Sequence, residues 1–160
     1  MAEQRIGLGV DVHPFDDEPV PGRSLMLGGI AFPGARSLHG HSDADVVAHA
    51  IADAMLGAGA LGDLGMHFPD TDAKWKGANS LEILAACRDL LGTDGFSLVN
   101  ADCTILTETP KIAPARAAMM EALSLAAGGP VHVKATRPEG LGSLGRVEGI
   151  ACLAVVLLAR

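Results

Sequence analysis

The chain opens with a stretch in which large apolar residues alternate with small or polar ones. Between Gln4 and His13, every second residue is Ile, Leu or Val, and the intervening residues include Gly7, Gly9 and Asp11. A period of two is typical of a β-strand, in which successive side chains point to opposite faces. The pattern therefore predicts a strand on which Asp11 and His13 share one face, with their Cα atoms about 6–7 Å apart.

A helix is predicted to begin at Ser42. Ser42 and Asp45 form a variant of the capping box ahead of the alanine-rich run VVAHAIADAMLGAGA. His49 lies on this helix, four residues from both Asp45 and Asp53. That spacing predicts that one of these carboxylates orients a ring nitrogen of His49.

The rest of the chain adds further elements and one long loop. Apolar residues on both sides of Gly28 and Gly29 predict a hairpin arm, and residues 60–79, rich in Gly, Pro and Asp, predict a functional loop. Apolar periodicity predicts helices over 81–91 and 115–127, and strands over 99–106 and 131–135. The last run, 150–160, fits a buried strand or a short helix, and Val155, Val156 and its position after a strand favour the strand. This order predicts a single domain over residues 1–160 with an α/β fold, an α+β sandwich in which helices pack on one face of a mixed β-sheet.

The net charge and the aromatic content of the chain exclude some classes of ligand. The 160 residues carry a formal net charge of −7 and include four Phe, one Trp and no Tyr. A nucleic-acid binder needs a basic surface and aromatic side chains for stacking, so this composition excludes that class. Residues 11–72 hold nine of the twelve Asp and five of the six His, with a net charge of −8. An anionic substrate at this segment would need a bound metal ion to supply positive charge.

The sequence also disfavours membrane and secreted classes. No apolar run approaches the roughly 18–20 residues of a spanning helix, and Asp11 comes too early for a secretory signal. We therefore expect a cytoplasmic protein without a membrane partner. Cys87, Cys103 and Cys152 are widely spaced and flanked by apolar residues, which predicts buried thiols.

Asp11, His13 and His49 are the candidate metal ligands. A strand pair and a helical histidine would supply one oxygen and two nitrogens, the donor set of a catalytic zinc with an open coordination position. Each element also has a simpler interpretation. An Asp and a His two residues apart on a strand, or a His among alanines, is commonly a packed or surface residue. The residue pattern alone leaves the two interpretations equally open.

Two other segments could contact a substrate. Residues 40–43 precede the predicted helix, where free N–H groups and the helix dipole favour an anion, although a plain cap at Ser42 explains the same residues. The aspartates of residues 63–72 could bind hydroxyl groups or a second cation, but solvated turns are the commoner reason for such residues. The chain contains no Walker-type phosphate loop and no serine nucleophile elbow.

Taken together, the motifs resemble one known family. They are GVDVHPF (9–15), HSDADVVAHAIADAMLG (41–57), LGDLG (61–65), FPDTD (68–72), KG (76–77), PKIAP (110–114), KAT (134–136) and GRVEGIA (145–151). In their order and spacing, and over nearly the whole chain, they resemble the 2-C-methyl-D-erythritol 2,4-cyclodiphosphate synthase family.

The resemblance implies an enzyme of non-mevalonate isoprenoid biosynthesis. Members of this family convert 4-diphosphocytidyl-2-C-methyl-D-erythritol 2-phosphate into the cyclic diphosphate and CMP. The 2-phosphate of the substrate attacks the β-phosphorus, so no protein nucleophile is required. Catalysis would then consist of holding the substrate in an attack geometry and neutralising the charge of its diphosphate.

The resemblance also implies roles for individual residues. Asp11, His13 and His49 match the zinc ligands, and Glu139 matches a carboxylate that helps to hold a second divalent cation, magnesium or manganese. His41 and Arg137 fall at the positions expected to act in catalysis. The matching substrate-binding positions near the phosphates are Asp11, Val12, His13, His41 and Ser42, and those around the erythritol are Asp63, Leu64, Gly65, Phe68, Pro69, Asp70, Thr71 and Asp72. The positions towards the cytidine and the α-phosphate are Thr107, Glu108, Thr109, Pro110, Lys111, Ile112, Ala113, Ala135, Thr136, Arg137, Pro138 and Glu139. Ser143 and Arg146 complete the matching positions.

The family is a homotrimer with each site built between neighbouring subunits. Arg146 would lie near an apolar cavity on the trimer axis that could hold an isoprenoid diphosphate. This chain departs from the family at three positions. Arg137 replaces a threonine, Ser143 replaces a frequent phenylalanine, and Val147 replaces a glycine.

Two alternatives to the cyclase remain at this stage. A non-catalytic trimer could bind isoprenoid diphosphate or a pathway partner, and the altered residues 137–147 motivate that alternative. A zinc hydrolase could act on unrelated phosphate esters by means of a zinc-bound water. Substitution of the zinc ligands or of Lys111 would have favoured the non-catalytic trimer, and neither substitution occurs.

Overall fold

Strands and helices follow one another along residues 2–160, the part of the chain that the computed structural model describes. The predicted strands and helices are all present, and the predicted loop at 60–79 contains two short helical turns. In chain order the elements are β1 (Gln4–Pro14), β2 (Leu25–Leu27), β3 (Ile30–Phe32), α1 (Val46–Gly59), α2 (Leu64–His67), a 3₁₀ turn (Ala73–Trp75), α3 (Ser80–Thr93), β4 (Ser97–Leu106), α4 (Arg116–Ala127), β5 (Val131–Thr136), α5 (Gly142–Gly145) and β6 (Gly149–Ala159).

The main sheet is mixed and has the strand order β1-β6-β4-β5. β6 lies between β1 and β4 and is antiparallel to both, whereas β4 and β5 are parallel. This central position explains why the last apolar run of the chain is a strand. β2 and β3 form a separate hairpin arm. The predicted α+β architecture with a mixed sheet and packed helices is confirmed.

The large apolar residues of β1 lie on the face of the sheet that no helix covers. Ile6, Leu8, Val10 and Val12 are 52–75% exposed, whereas the alternate residues of β1 lie beneath α1. The exposed apolar surface continues onto β6, where Leu153 and Val155 are 39% and 46% exposed. The part of the open face that β1 and β6 form is therefore apolar.

Glycines allow α1 to lie unusually close to β1. A Cβ atom on Gly7 would fall 1.9 Å from the carbonyl oxygen of Ala54, and one on Gly9 would fall 2.0 Å from that of Ala50. Such distances are far below van der Waals contact, so any side chain here would push the helix away. The close approach brings His49 on α1 next to the end of β1.

Asp45, and not Ser42, caps α1. Its carboxylate accepts hydrogen bonds from the backbone N–H groups of Val47 and Ala48, as well as from those of Gly28 and Gly29 in the β2–β3 turn. The capping box predicted at Ser42 is therefore wrong. The backbone changes direction at Ala44, which has a φ of 57°, so the helix begins only after this residue.

Helix α1 ends before Ala60, where the backbone has a conformation that favours glycine. Ala60 has a left-handed backbone, with φ of 59°, and is exposed. Because an L-residue with a Cβ atom is strained in this conformation, we expect Ala60→Gly to raise the free energy of unfolding by about 0.5–1 kcal/mol. Urea unfolding measures this change. As a control, the same substitution at exposed Ala118 inside α4 should lower stability; a loss at both positions would contradict the prediction.

The three cysteines lie in the interior. Cys87, Cys103 and Cys152 are buried and carry free thiols, as predicted. Within residues 2–160, no helix combines the length and the apolarity that crossing a membrane would need.

Candidate active site

A cavity of about 940 Å³ opens at the end of β1, between the segment before α1 and the loop that contains α2. Ten of the predicted site residues line it. They are Asp11, His13, His41, Ser42, His49, Leu64, Gly65, Phe68, Pro69 and Asp70. The prediction missed several other lining residues, among them His39 and Trp75.

Asp11, His13 and His49 meet at the wall of this cavity. Asp11 Oδ2 lies 3.1 Å from His13 Nε2 and 3.1 Å from His49 Nδ1. One ligand atom from each residue lies within 4.8 Å of the other two. The alternation along β1 and the position of His49 on α1 therefore bring the three predicted ligands together.

Hydrogen bonds on the far side of each imidazole fix its orientation. His13 Nδ1 lies 2.7 Å from the carbonyl oxygen of His39, which can only accept, so Nδ1 carries a proton and Nε2 is the nitrogen available to a metal ion. His49 Nε2 lies 2.9 Å from Ser80 Oγ, and the Ser80 hydroxyl donates in turn to the Asp43 carboxylate. Both rings thus turn the nitrogen that could bind a metal ion towards Asp11.

The carboxylates predicted to orient His49 have other partners. Asp45 caps α1, and Asp53 accepts a hydrogen bond from the backbone N–H of Leu64 at 3.2 Å. Spacing along a single helix could not reveal Ser80, because Ser80 comes from the start of another helix, α3. The orientation of His49 is therefore a tertiary interaction, and the predicted i±4 contacts are wrong.

Asp11 supplies a negative charge where a cation would bind. Burial alone would raise the pKa of Asp11, but hydrogen bonds from His13 and His49 outweigh burial and hold this pKa well below its usual range. Burial likewise opposes charge on His13, whereas the hydrogen bond and the charge of Asp11 raise the pKa of His13. Asp11 is therefore an anion at neutral pH.

The three donors fit a divalent metal ion such as zinc. Two imidazole nitrogens and one carboxylate oxygen are a donor set typical of catalytic zinc sites. Ligands about 2.0–2.2 Å from a tetrahedral zinc lie about 3.4 Å from one another, close to the 3.1 Å that separates Asp11 Oδ2 from each nitrogen. The triad lies on the cavity wall, so a fourth position would face the cavity.

We expect Ser80→Ala to weaken zinc binding about tenfold, because His49 would lose the hydroxyl that orients its ring. Competition with a zinc chelator measures the dissociation constant. Ser97→Ala is the matched control, since the Ser97 hydroxyl bonds to Ala159 at the opposite end of the sheet. Wild-type affinity in Ser80→Ala would show that Ser80 does not orient His49.

Several other predicted residues shape the cavity without lining it. Asp63 caps α2 by accepting from the Met66 N–H, and Asp72 caps the 3₁₀ turn. The carbonyl oxygen of Asp72 lies 3.3 Å from His41 Nε2, which joins the loop to the start of α1. Val12 points to the opposite, open face of the sheet.

The predicted residues on the cytidine side lie elsewhere in this chain. Of the described residues that line the cavity, none belongs to 107–113, 135–139, Ser143 or Arg146. The first two segments follow β4 and end β5, and β5 is three strands, or about 14 Å, from β1. Thr107 N donates to the carbonyl oxygen of Thr136 at 3.2 Å, so the two segments contact each other. One chain therefore brings the metal triad and the loop 60–79 together at the cavity, but it does not bring residues 107–113 and 135–139 there.

Comparisons with known proteins agree with this geometry. The sequence profile of the YgbB family matches residues 4–159. The 2-C-methyl-D-erythritol 2,4-cyclodiphosphate synthase of Symbiobacterium thermophilum is 50% identical over 157 residues, which are 96% of this chain and 98% of that protein.

Solved structures show the same fold. The bifunctional IspDF protein of Campylobacter jejuni is 39% identical with a TM-score of 0.92, and the match covers all of this chain and 43% of that one. The IspF protein of Plasmodium falciparum, solved as its CDP complex, is 31% identical with a TM-score of 0.82, over 97% of this chain and 95% of that one. On its sequence and its fold, the chain belongs to the YgbB family of 2-C-methyl-D-erythritol 2,4-cyclodiphosphate synthases.

Proposed function

We propose that this chain works as a 2-C-methyl-D-erythritol 2,4-cyclodiphosphate synthase through the cavity at the end of β1. The enzyme cyclises 4-diphosphocytidyl-2-C-methyl-D-erythritol 2-phosphate and releases CMP, a step of isoprenoid biosynthesis. The observation that carries the proposal is the Asp11–His13–His49 cluster at this cavity, in a chain half identical to synthases over its length. A relative solved with CDP supports a cytidine diphosphate-linked substrate.

The reaction needs no nucleophile from the protein. An oxygen of the 2-phosphate forms a bond to the β-phosphorus, and the bond from that phosphorus to the bridging oxygen breaks. CMP leaves with the bridging oxygen and its electron pair. The residues of the chain therefore bind the substrate in a folded conformation and hold the reacting phosphates in line.

We assign the triad as the site of a zinc ion and Glu139 as a ligand of a second divalent ion, magnesium or manganese. A divalent ion at the triad supplies positive charge to phosphate oxygens. Asp11, His13 and His49 hold that ion, and Ser80 and the His39 carbonyl keep both imidazoles in their orientation. His41 and Ser42 line the cavity ahead of α1, and their imidazole and hydroxyl groups are suited to donate to phosphate oxygens.

We further propose a homotrimer in which a neighbouring subunit completes each cavity. Two observations support it: the open face of the sheet carries Ile6, Leu8, Val10 and Val12, and the segments at 107–113 and 135–139 lie far from the cavity of their own chain. A neighbour would bring Lys111, Arg137 and Glu139 to the phosphates and the cytidine. Light scattering after size exclusion tests the trimer, and a monomer that makes CMP would contradict the shared site.

We assign the remaining residues that match the family to substrate contacts in the same trimer. Phe68–Asp72, with Asp63 to Gly65, would surround the erythritol, and Thr107–Ala113 with Ala135–Glu139 would contact the cytidine and the α-phosphate. Ser143 and Arg146 would lie towards the trimer axis, where an isoprenoid diphosphate could bind. Arg146 now pairs with Glu148 at 2.6 Å, so a ligand there would have to compete with this ion pair.

We also propose that the enzyme is a single domain that works in the cytoplasm. The three cysteines are buried as thiols, which supports a reducing compartment. Immunoblots of cell fractions test this location, and recovery with the secreted fraction would contradict it.

The deciding experiment follows CMP and cyclic diphosphate from the purified protein with the cytidine-linked substrate, zinc and magnesium. We expect both products in equal amounts. Arg137→Thr, which restores the family residue, is run alongside. A changed rate would support contact between Arg137 and the diphosphate, and an unchanged rate would remove that assignment. A correctly folded, metal-loaded protein that forms no CMP would contradict the proposed function.

A further inference from the structure

Arg23 lies in the loop between β1 and β2 and does not line the cavity, yet it holds the backbone that borders the metal ligands. Its Nη2 atom donates to the carbonyl oxygen of Gly40 at 3.0 Å and to that of Ser42 at 3.1 Å. A single guanidinium therefore spans two carbonyls of the segment 39–42, which connects the hairpin arm to α1.

The segment 39–42 contacts both imidazoles of the triad on the side away from Asp11. The carbonyl oxygen of His39 accepts from His13 Nδ1, and Ser42 Oγ lies 3.2 Å from His49 Nε2. The backbone also packs tightly on His13, since a Cβ atom on Gly40 would lie 3.0 Å from His13 Cε1. A displacement of this segment would thus change the surroundings of two metal ligands at once.

Asp16 anchors the same segment from its other end. Its carboxylate accepts from Ser37 Oγ at 2.5 Å and lies 3.2 Å from His39 Nδ1 and 3.9 Å from Arg23 Nε. Burial opposes the charge of Asp16, but the hydrogen bonds from Ser37 and His39 and the charge of Arg23 lower its pKa below the usual value. Arg23 therefore has a buried anion beside it.

The contacts of Arg23 leave one polar atom without a partner. Arg23 Nε is buried and makes no hydrogen bond to any of residues 2–160. A guanidinium held only for stability would be expected to satisfy this donor, because a buried unpaired N–H group is unfavourable. The side chain is instead aligned with the two carbonyls of the segment.

We propose that Arg23 is a positioning residue of this enzyme, which aligns His13 and His49 for the divalent ion by fixing the carbonyls of Gly40 and Ser42. The inference rests on the proposed metal site. Arg23 makes no hydrogen bond to the metal ligands and does not line the cavity, so its hydrogen bonds reach the triad through the backbone of 39–42.

The test compares the zinc affinity of two arginine variants, with zinc alone as the ligand and a chelator as competitor. We expect Arg23→Met to weaken zinc binding about tenfold, the lower end of the loss found when groups that orient metal ligands are removed. Arg36→Met is the matched control. Arg36 donates to the backbone oxygen of Asp16 at 3.0 Å but makes no hydrogen bond to Gly40 or Ser42. The zinc affinity of Arg36→Met should therefore stay within about twofold of wild type.

Urea unfolding in the presence of EDTA separates positioning from stability. A variant that is less stable without metal but binds zinc as tightly as wild type would overturn the proposal, as would equal losses in Arg23→Met and Arg36→Met. Arg23→Lys decides the question if the methionine variant does not fold. It retains the charge but not the planar pair of donors, so we expect weakened zinc binding, and wild-type affinity would overturn the proposal.

The two proposals fail in different ways. If the wild-type protein binds zinc but releases no CMP, the proposed function is wrong and the affinity comparison still tests Arg23. If Arg23→Met binds zinc like wild type, the positioning role is wrong whatever the rate of CMP release.

Discussion

We expect His49→Ala to lower the rate of CMP release by about a thousandfold or more. The substitution removes one of three donors whose atoms converge within 4.8 Å, so the remaining pair would hold a divalent ion only weakly. A metal ion that stabilises charge in the transition state supplies several kcal/mol, and about 1.4 kcal/mol corresponds to a tenfold change in rate. CMP formation at saturating substrate, with and without excess zinc, measures the effect.

The fold should survive this substitution. The side chain of His49 is 13% exposed, and its hydrogen-bond partners, Asp11, Ser42 and Ser80, are polar residues at the cavity and not part of the apolar core. Circular dichroism and urea unfolding should therefore resemble those of the wild-type protein without metal. Leu125→Ala, on the exposed surface of α4, serves as a control with unchanged activity. A folded His49→Ala protein that retains a tenth or more of the wild-type rate would contradict a role for the triad in catalysis.

The triad could be predicted from the sequence because each of its parts has a local signal. The period of two along β1 places Asp11 and His13 on one face, and the apolar run of α1 makes His49 helical. Their convergence was not a local property. It depends on the packing of α1 against β1, and the residue pattern alone left the metal site and an ordinary packing role open.

The face of β1 that packs against the helices could not be predicted from hydrophobicity. The larger apolar residues Ile6 and Leu8 are on the open face, and Gly7 and Gly9 are on the buried one. The alternation separates two faces but does not say what covers each. Small residues on both partners, glycines on the strand and alanines on the helix, were the signal that could have revealed this contact.

The sequence could not predict the hydrogen-bond partner of His49 or the position of residues 107–113 and 135–139 relative to the cavity, and the reasons differ. Ser80 is 31 residues from His49 in the chain and reaches it only because α3 begins beside α1. Residues 107–113 and 135–139 are matched by family resemblance, yet they lie outside the cavity of their own chain. In the proposed trimer these residues would meet the cavity of a neighbouring copy, so a single chain would hold no contact from which to predict them.

Gly9→Ala tests whether the close packing of α1 on β1 builds the metal centre. The new Cβ atom would lie 2.0 Å from the carbonyl oxygen of Ala50 and 2.6 Å from the backbone nitrogen of Ala54. Both are backbone atoms in the middle of a regular helix, so no flexible side chain can move aside. We expect the free energy of unfolding to fall by about 3 kcal/mol, at the upper end of the usual cost of overpacking.

The same substitution should weaken zinc binding, because the helix that must move away carries His49, next to Ala50, whereas Asp11 and His13 stay on the strand. Urea unfolding and chelator competition measure the two effects on the same preparation. Gly57→Ala is the matched control. Gly57 is exposed near the end of α1, with nothing within 4 Å of an added Cβ, so this substitution should preserve zinc affinity and raise stability by about 0.5–1 kcal/mol. If Gly9→Ala lost stability but bound zinc like wild type, the distance between strand and helix would not determine the geometry of the triad.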